Sequence, residues 1–125
     1  MPEFNGTSGS ETLTGTEQGD SINTRGGSDT VFAGGGDDFI NSLESGFYNV
    51  SGPLLIYGGT GNDRIGGSSE SDTIYGEDGN DYIWSRDGGD TVFGGAGDDR
   101  ILGGSGDDIL DGGDGDDNLT GNEGN

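Results

Sequence analysis

An acidic residue returns at every ninth position along almost the whole 125-residue chain: Glu11, Asp20, Asp29 and Asp38, then Asp63, Asp72, Asp81, Asp90, Asp99, Asp108 and Asp117. Carboxylates can hold cations or move protons, but the usual catalytic companions are missing. With no cysteine and no histidine, the chain has no thiolate metal site, disulfide, imidazole base or ordinary nucleophilic triad. With no lysine, a GxxxxGK[ST] phosphate loop is impossible, and the many Gly-x-Gly matches carry no weight. The 25 acidic residues face four Arg/Lys, for a net charge of −21, which sets nucleic acid aside as a partner. Two carboxylates roughly 5 Å apart repel by about 1 kcal/mol even in water, so a register that gathers them calls for positive charge between them. No apolar run approaches the ~20 residues of a membrane span, and no signal peptide is visible.

The elements that must position these carboxylates are repeats. From Gly6 the chain divides into nines: GTSGSETLT, GTEQGDSIN, TRGGSDTVF and AGGGDDFIN. After residues 42–57 it resumes as GGTGNDRIG, GSSESDTIY, GEDGNDYIW, SRDGGDTVF, GGAGDDRIL, GGSGDDILD and GGDGDDNLT. Position six is acidic in every unit. Position eight is always aliphatic: Leu13, Ile22, Val31, Ile40, Ile65, Ile74, Ile83, Val92, Ile101, Leu110 and Leu119. Residues 1–5 read as a leader or cloning remnant and 6–120 as a single roll, with a first block at 6–41, an irregular insertion at 42–57 and a second block at 58–120. Residues 121–125 read as a truncated repeat.

The pattern GGxGxDxUx, with U a large aliphatic, resembles the RTX (repeats-in-toxin) family of calcium-binding nonapeptide repeats. The resemblance covers nearly the whole chain, and eleven units in register are far more specific than one. It implies an all-β, right-handed parallel β-roll with two nonapeptides per turn, six residues making each turn and three a short strand. The residue types agree. Glycine supplies the positive φ angles of successive tight turns. In a three-residue strand, positions seven and nine face one way and position eight the other, so the aliphatics of two facing sheets form the core. A collagen or linker reading fails because the period is nine and the aliphatic position is fixed.

The same resemblance implies several Ca²⁺ ions between the loops of successive turns. Their ligands would be sixth-position carboxylates and main-chain carbonyls of positions one to four. Calcium accepts six to eight oxygens in flexible geometry, whereas magnesium demands a tighter octahedron. The implied carboxylates are Asp20, Asp29, Asp38, Asp63, Asp72, Asp81, Asp90, Asp99, Asp108 and Asp117. The implied main-chain donors are Gly34 and Gly36; Gly58, Gly59, Thr60 and Gly61; Gly76, Asp78 and Gly79; Gly94, Gly95, Ala96 and Gly97; Gly103, Gly104, Ser105 and Gly106; and Gly112, Gly113, Asp114 and Gly115. The fifth-position acids Asp37, Asp98, Asp107 and Asp116 read as turn formers rather than ligands.

Which loops share an edge depends on residues 42–57. NVSGPLLIY (49–57) fits a degenerate repeat with Leu54 in the acidic position and Ile56 in the core, leaving Ser42–Tyr48 as a loop-out. One edge then carries the glycine-rich loops beginning at 33, 58, 76, 94 and 112. The opposite edge carries those at 6, 24, 49, 67, 85 and 103, most of which have lost glycines and are expected to bind weakly or not at all.

The outer faces carry a second pattern. Arg64, Tyr82 and Arg100 occupy position seven of successive turns beside Trp84, while Thr30, Thr73 and Thr91 lie beside Phe32, Tyr57, Tyr75 and Phe93 on the other sheet. Cross-strand stacking or a face for a neighbouring domain of the parent protein comes first. The alternative is an anionic-polysaccharide strip of Arg64, Tyr82, Trp84 and Arg100, similar to modules attached to alginate epimerases. As a function, the resemblance implies a non-catalytic, calcium-binding module of a secreted bacterial protein. It would leave by a type I exporter, unfolded, and fold on calcium in the extracellular space. An enzyme is not expected, because nothing in the sequence supplies a pocket to tune a carboxylate.

Overall fold

Glycines at the start of each repeat keep it out of a helix, leaving only its last residues as extended chain. The structure, a computed structural model, describes residues 1–41 and 52–121 and the backbone of 123–124. The loop-out read at Ser42–Tyr48 and the first residues of the degenerate repeat lie outside the described residues. Among these there is no helix, only short strands. One sheet contains β1 (Glu3–Asn5), β3 (Ser21–Asn23), β5 (Phe39–Ile40), β7 (Arg64–Gly66), β9 (Tyr82–Trp84), β11 (Arg100–Leu102) and β14 (Asn118–Thr120), in that spatial order. The facing sheet contains β2 (Thr12–Thr14), β4 (Thr30–Gly35), β6 (Leu55–Thr60), β8 (Thr73–Asp78), β10 (Thr91–Ala96) and β13 (Ile109–Asp114). A small pair, β12 (Ser105–Gly106) and β15 (Glu123–Gly124), joins the loop edge.

Consecutive strands alternate between the two sheets and each pairs in parallel with the strand two repeats away, which makes a β-roll. Ile65, Ile83 and Ile101 stand in one row, and Ile56, Ile74 and Val92 in the other. Across the interruption, Val31 pairs with Ile56 and Ile40 with Ile65. Both sheets are therefore displaced by the same extra length and the roll stays in phase. β1 extends the first sheet backwards, with Phe4 paired to Ile22 and packed against the core.

The core is one line of aliphatics per sheet. Ile22, Val31, Ile40, Ile56, Ile74, Ile83, Val92 and Ile101 are fully buried; Leu119 in the last described turn remains 44% exposed. Outside, Phe32, Tyr57, Tyr75 and Phe93 form a ladder of parallel rings with centroids 5.1, 5.0 and 5.2 Å apart. On the opposite face, Arg64 lies over Phe39 at 5.7 Å and Arg100 over Tyr82 at 5.5 Å.

Candidate metal centre

Stacking places the sixth-position carboxylates in two columns, one on each edge. Along the edge that leads into the first sheet, each carboxylate reaches back to the turn before it. The amides of Asp20, Asp38, Asp63, Asp81 and Asp99 donate to Oδ1 of Asp38, Asp63, Asp81, Asp99 and Asp117 at 2.7–2.9 Å. On the opposite edge, Glu11 donates in the same way to Asp29, Leu54 to Asp72, Asp72 to Asp90 and Asp90 to Asp108. Leu54, which has no carboxylate to offer Asp29, interrupts that column.

The second oxygen is treated differently. Oδ2 of Asp29, Asp38, Asp63, Asp81, Asp90, Asp99 and Asp108 is buried with no hydrogen-bond partner. Each of these residues is at most 8% exposed. Near Asp90, the Ser85 hydroxyl donates to the Gly103 carbonyl at 2.8 Å and also eases the charge on Asp90. A buried carboxylate oxygen left unpaired is costly, so a repeated one marks a place where something positive belongs.

The surroundings of these oxygens fit a hard cation. A Cβ built on Gly58 would lie 2.6 Å from Asp63 Oδ2 and 2.7 Å from the Gly76 carbonyl oxygen of the next turn. Gly76 and Gly94 face the same pair of atoms, with Asp81 and Gly94, and Asp99 and Gly112, in those roles. The missing side chain of position one thus leaves a small cradle lined by a carboxylate and a main-chain oxygen from adjacent turns. Among the described residues, no group of three or more Asp or Glu gathers as a metal cluster, so such a cradle would draw the rest of its donors from the backbone. All-oxygen donors on flexible loops are the set that suits Ca²⁺.

The predicted main-chain donors separate by position. Gly58, Gly76, Gly94, Gly103 and Gly112, at position one, face their own loop's Oδ2. At position three, the carbonyls of Asp78, Ala96 and Asp114 already accept the amides of Gly61, Gly79 and Gly97, and that of Ser105 accepts Gly88. In the loops with an unpartnered Oδ2, position four requires glycine, as at Gly61, which has φ 125° and where a Cβ would strike the Gly36 carbonyl; the loops of Asp20 and Asp72 carry Gln18 and Glu70 there.

Electrostatics follows burial. Desolvation pushes Asp38, Asp63, Asp81 and Asp90 from the ordinary 3.8 up to about 6. The amide bond from the preceding turn opposes the shift, while neighbouring carboxylates add to it. Desolvation also raises Asp29, Asp72 and Asp99.

Sequence reading missed the order at position five. Asp37 Oδ1 accepts the amide of Asn62, Asn62 that of Asn80, Asn80 that of Asp98, and Asp98 that of Asp116, at 2.8–2.9 Å. This column runs opposite to the sixth-position one, because here the earlier turn supplies the acceptor. The signal was present: from Asp37 onward, position five on that edge is Asp or Asn, and only Gly19 in the first loop departs from it. The roll also places Arg64, Tyr82 and Arg100 in one paired row, with Trp84 two residues along β9. The Arg86 guanidinium covers the Trp84 ring at 5.6 Å.

No curated protein matches the chain. The family pattern of the RTX calcium-binding nonapeptide repeat, four copies, matches residues 5–40, 57–92 and 93–125. Those segments contain all the carboxylate cradles described above, and the chain belongs to the RTX calcium-binding repeat family.

Proposed function

We propose that this calcium-binding repeat module is a folding switch: an open polyanion without calcium that closes into the roll when the ions enter. One observation carries the reading. Among the described residues, seven buried Oδ2 atoms lack partners, so the ion-free roll desolvates a column of charges on each edge and compensates only one oxygen of each. A net charge of −21 adds long-range repulsion, which favours the open chain. Oδ2 of Asp38, Asp63, Asp81 and Asp99 on one edge, and of Asp29, Asp90 and Asp108 on the other, would be the carboxylate ligands. The position-one carbonyls of the following turns would complete part of each shell.

RTX repeat proteins are typically secreted, and this chain's charge suits that route. It stays open where calcium is scarce, passes a type I exporter unfolded and folds in the extracellular space. Its role is structural, not catalytic. Circular dichroism in chelator, calcium and magnesium tests the switch. β-structure should appear cooperatively with calcium, and neither chelator nor equimolar magnesium should support it. Equal β-content in chelator would overturn the reading.

A second reading has its own observation. Arg64 and Arg100 are exposed in strands that flank exposed Tyr82, a row of positive charge on an otherwise acidic molecule. An anionic polysaccharide is the ligand that such a row would recognise.

A further inference from the structure

Three loops satisfy their carboxylate without help. In the loop beginning at Gly6, the Thr7 amide donates to Glu11 Oε2 at 2.7 Å and its hydroxyl to Oε1 at 2.5 Å. In the next loop, the Thr16 amide donates to Asp20 Oδ2 at 2.5 Å and its hydroxyl lies 3.1 Å from both carboxylate oxygens. In the loop beginning at Gly67, the Ser68 amide donates to Asp72 Oδ2 at 2.6 Å and its hydroxyl to Oδ1 at 2.9 Å. In each case the donor is position two, and its residue is Thr or Ser.

Position two also separates these loops from the others by backbone. Where Oδ2 is orphaned, position two has positive φ: Arg25 70°, Gly34 109°, Gly59 104°, Glu77 80°, Arg86 82°, Gly95 110° and Gly104 97°. Thr7, Thr16 and Ser68 are not among the positive-φ residues. Glycine is not the discriminator, since Arg25, Glu77 and Arg86 sit in the same conformation as the glycines. Ser and Thr hydroxyls compete for local hydrogen bonds, and here they hold the loop in a form that turns two donors onto its own carboxylate.

We infer that position two decides which loops take a calcium ion, and that the loops of Glu11, Asp20 and Asp72 are closed by their own Thr7, Thr16 and Ser68 in place of an ion. This rests on the calcium-switch reading above. The amide and hydroxyl point the positive ends of their dipoles at the oxygens a cation would need, so an ion must break both bonds and meet those dipoles. Burial still disfavours the Asp72 charge, offset in part by the Leu54 amide, which donates to Oδ1 at 2.8 Å, and by the charge of Arg86 nearby. The three closed loops supply turns whose order does not wait for calcium.

The test counts and locates ions in the full chain. Native mass spectrometry of calcium-saturated protein should find one more ion in Ser68→Gly than in wild type, and likewise in Thr16→Gly. An unchanged count in a folded variant would overturn the inference. A crystal structure of the wild type with terbium in place of calcium, read by anomalous scattering, decides the matter even if a variant fails to fold. Ions beside Asp63, Asp81 and Asp99 but none beside Glu11, Asp20 or Asp72 support it. Ions in all loops alike would overturn it alone, leaving the switch intact. No ion anywhere would overturn the switch as well.

Discussion

The amide of Asp81 donates to Oδ1 of Asp99 at 2.8 Å, while Oδ2 of Asp99 is buried without a partner. One carboxylate therefore does two jobs. One oxygen holds the turns in register, and the other is left for a ligand the polypeptide does not supply. The division makes the two roles separable by mutation.

Asp81→Asn keeps an acceptor for the Asp63 amide and removes the charge on Oδ2. It should raise the calcium midpoint of folding on the order of tenfold, a change of ~1.4 kcal/mol. Asp72→Asn sets an NH2 group against the Ser68 amide and so costs stability too, but with no ion to lose it should move the midpoint less. Calcium titrations followed by circular dichroism compare the two. Equal shifts would mean that the free oxygen of Asp81 is no more needed than those of Asp72.

Acid should partly replace calcium. Asp38, Asp63, Asp81 and Asp90 titrate near 6 in the fold against an ordinary 3.8. A raised folded value means that the roll prefers the protonated form. This stabilising contribution is fully present below about 3.8 and is lost as pH rises through about 6. In chelator, the chain should gain β-structure as pH falls from 7 to 5, still above its pI of about 4.1. Protons and calcium compete for the same oxygens, so the calcium needed per site should rise over the same range. A dichroism spectrum in chelator that does not change between pH 7 and 5 would contradict this.

The aliphatic row sets how much the ions must supply. Ile83 is fully buried between Ile65 and Ile101, so Ile83→Ala should cost about 2–5 kcal/mol. Leu119→Ala, at a side chain 44% exposed, should cost far less. Urea unfolding at saturating calcium measures both. Similar losses would mean that the last turn is packed as tightly as the middle.

The roll was legible because a fixed nine-residue register of aliphatic, acidic and glycine positions admits few other arrangements, and Ile56 could be phased even through a degenerate repeat. Loop quality was less legible. Counting glycines groups TRGGSD and SRDGGD with GTEQGD and GSSESD, yet Asp29 and Asp90 keep an orphaned oxygen while Asp20 and Asp72 do not. The difference lies in φ at position two, and Arg25 and Arg86 adopt positive values that their residue type does not announce. Phe4 was hidden differently: counted back from Gly6 it falls on position eight, but its neighbours Met1–Glu3 carry no trace of the motif. The Asp and Asn column of position five was in plain view, and only its bonding needed coordinates.

The row of Arg64, Tyr82 and Arg100 makes a last prediction. Arg100 lies over the Tyr82 ring and Arg64 over Phe39, so those ring faces are covered and a neutral sugar has little to stack on. A guanidinium flat on a ring still presents its N–H edge, which suits bidentate bonding to a carboxylate. Recognition should therefore be ionic. Oligouronate should bind the calcium-loaded roll in the millimolar range with a Trp84 fluorescence change, since Trp84 lies in β9 beside the row. Neutral oligosaccharides should compete poorly. Arg64→Ala with Arg100→Ala should abolish binding while the calcium-loaded roll still folds, because the two exposed cation–π pairs together contribute only ~1–2 kcal/mol. Because the open chain has no row, chelator should abolish binding too. If calorimetry and fluorescence both stay silent at millimolar oligouronate, the row is a stacking ladder that stabilises the sheet and binds no glycan.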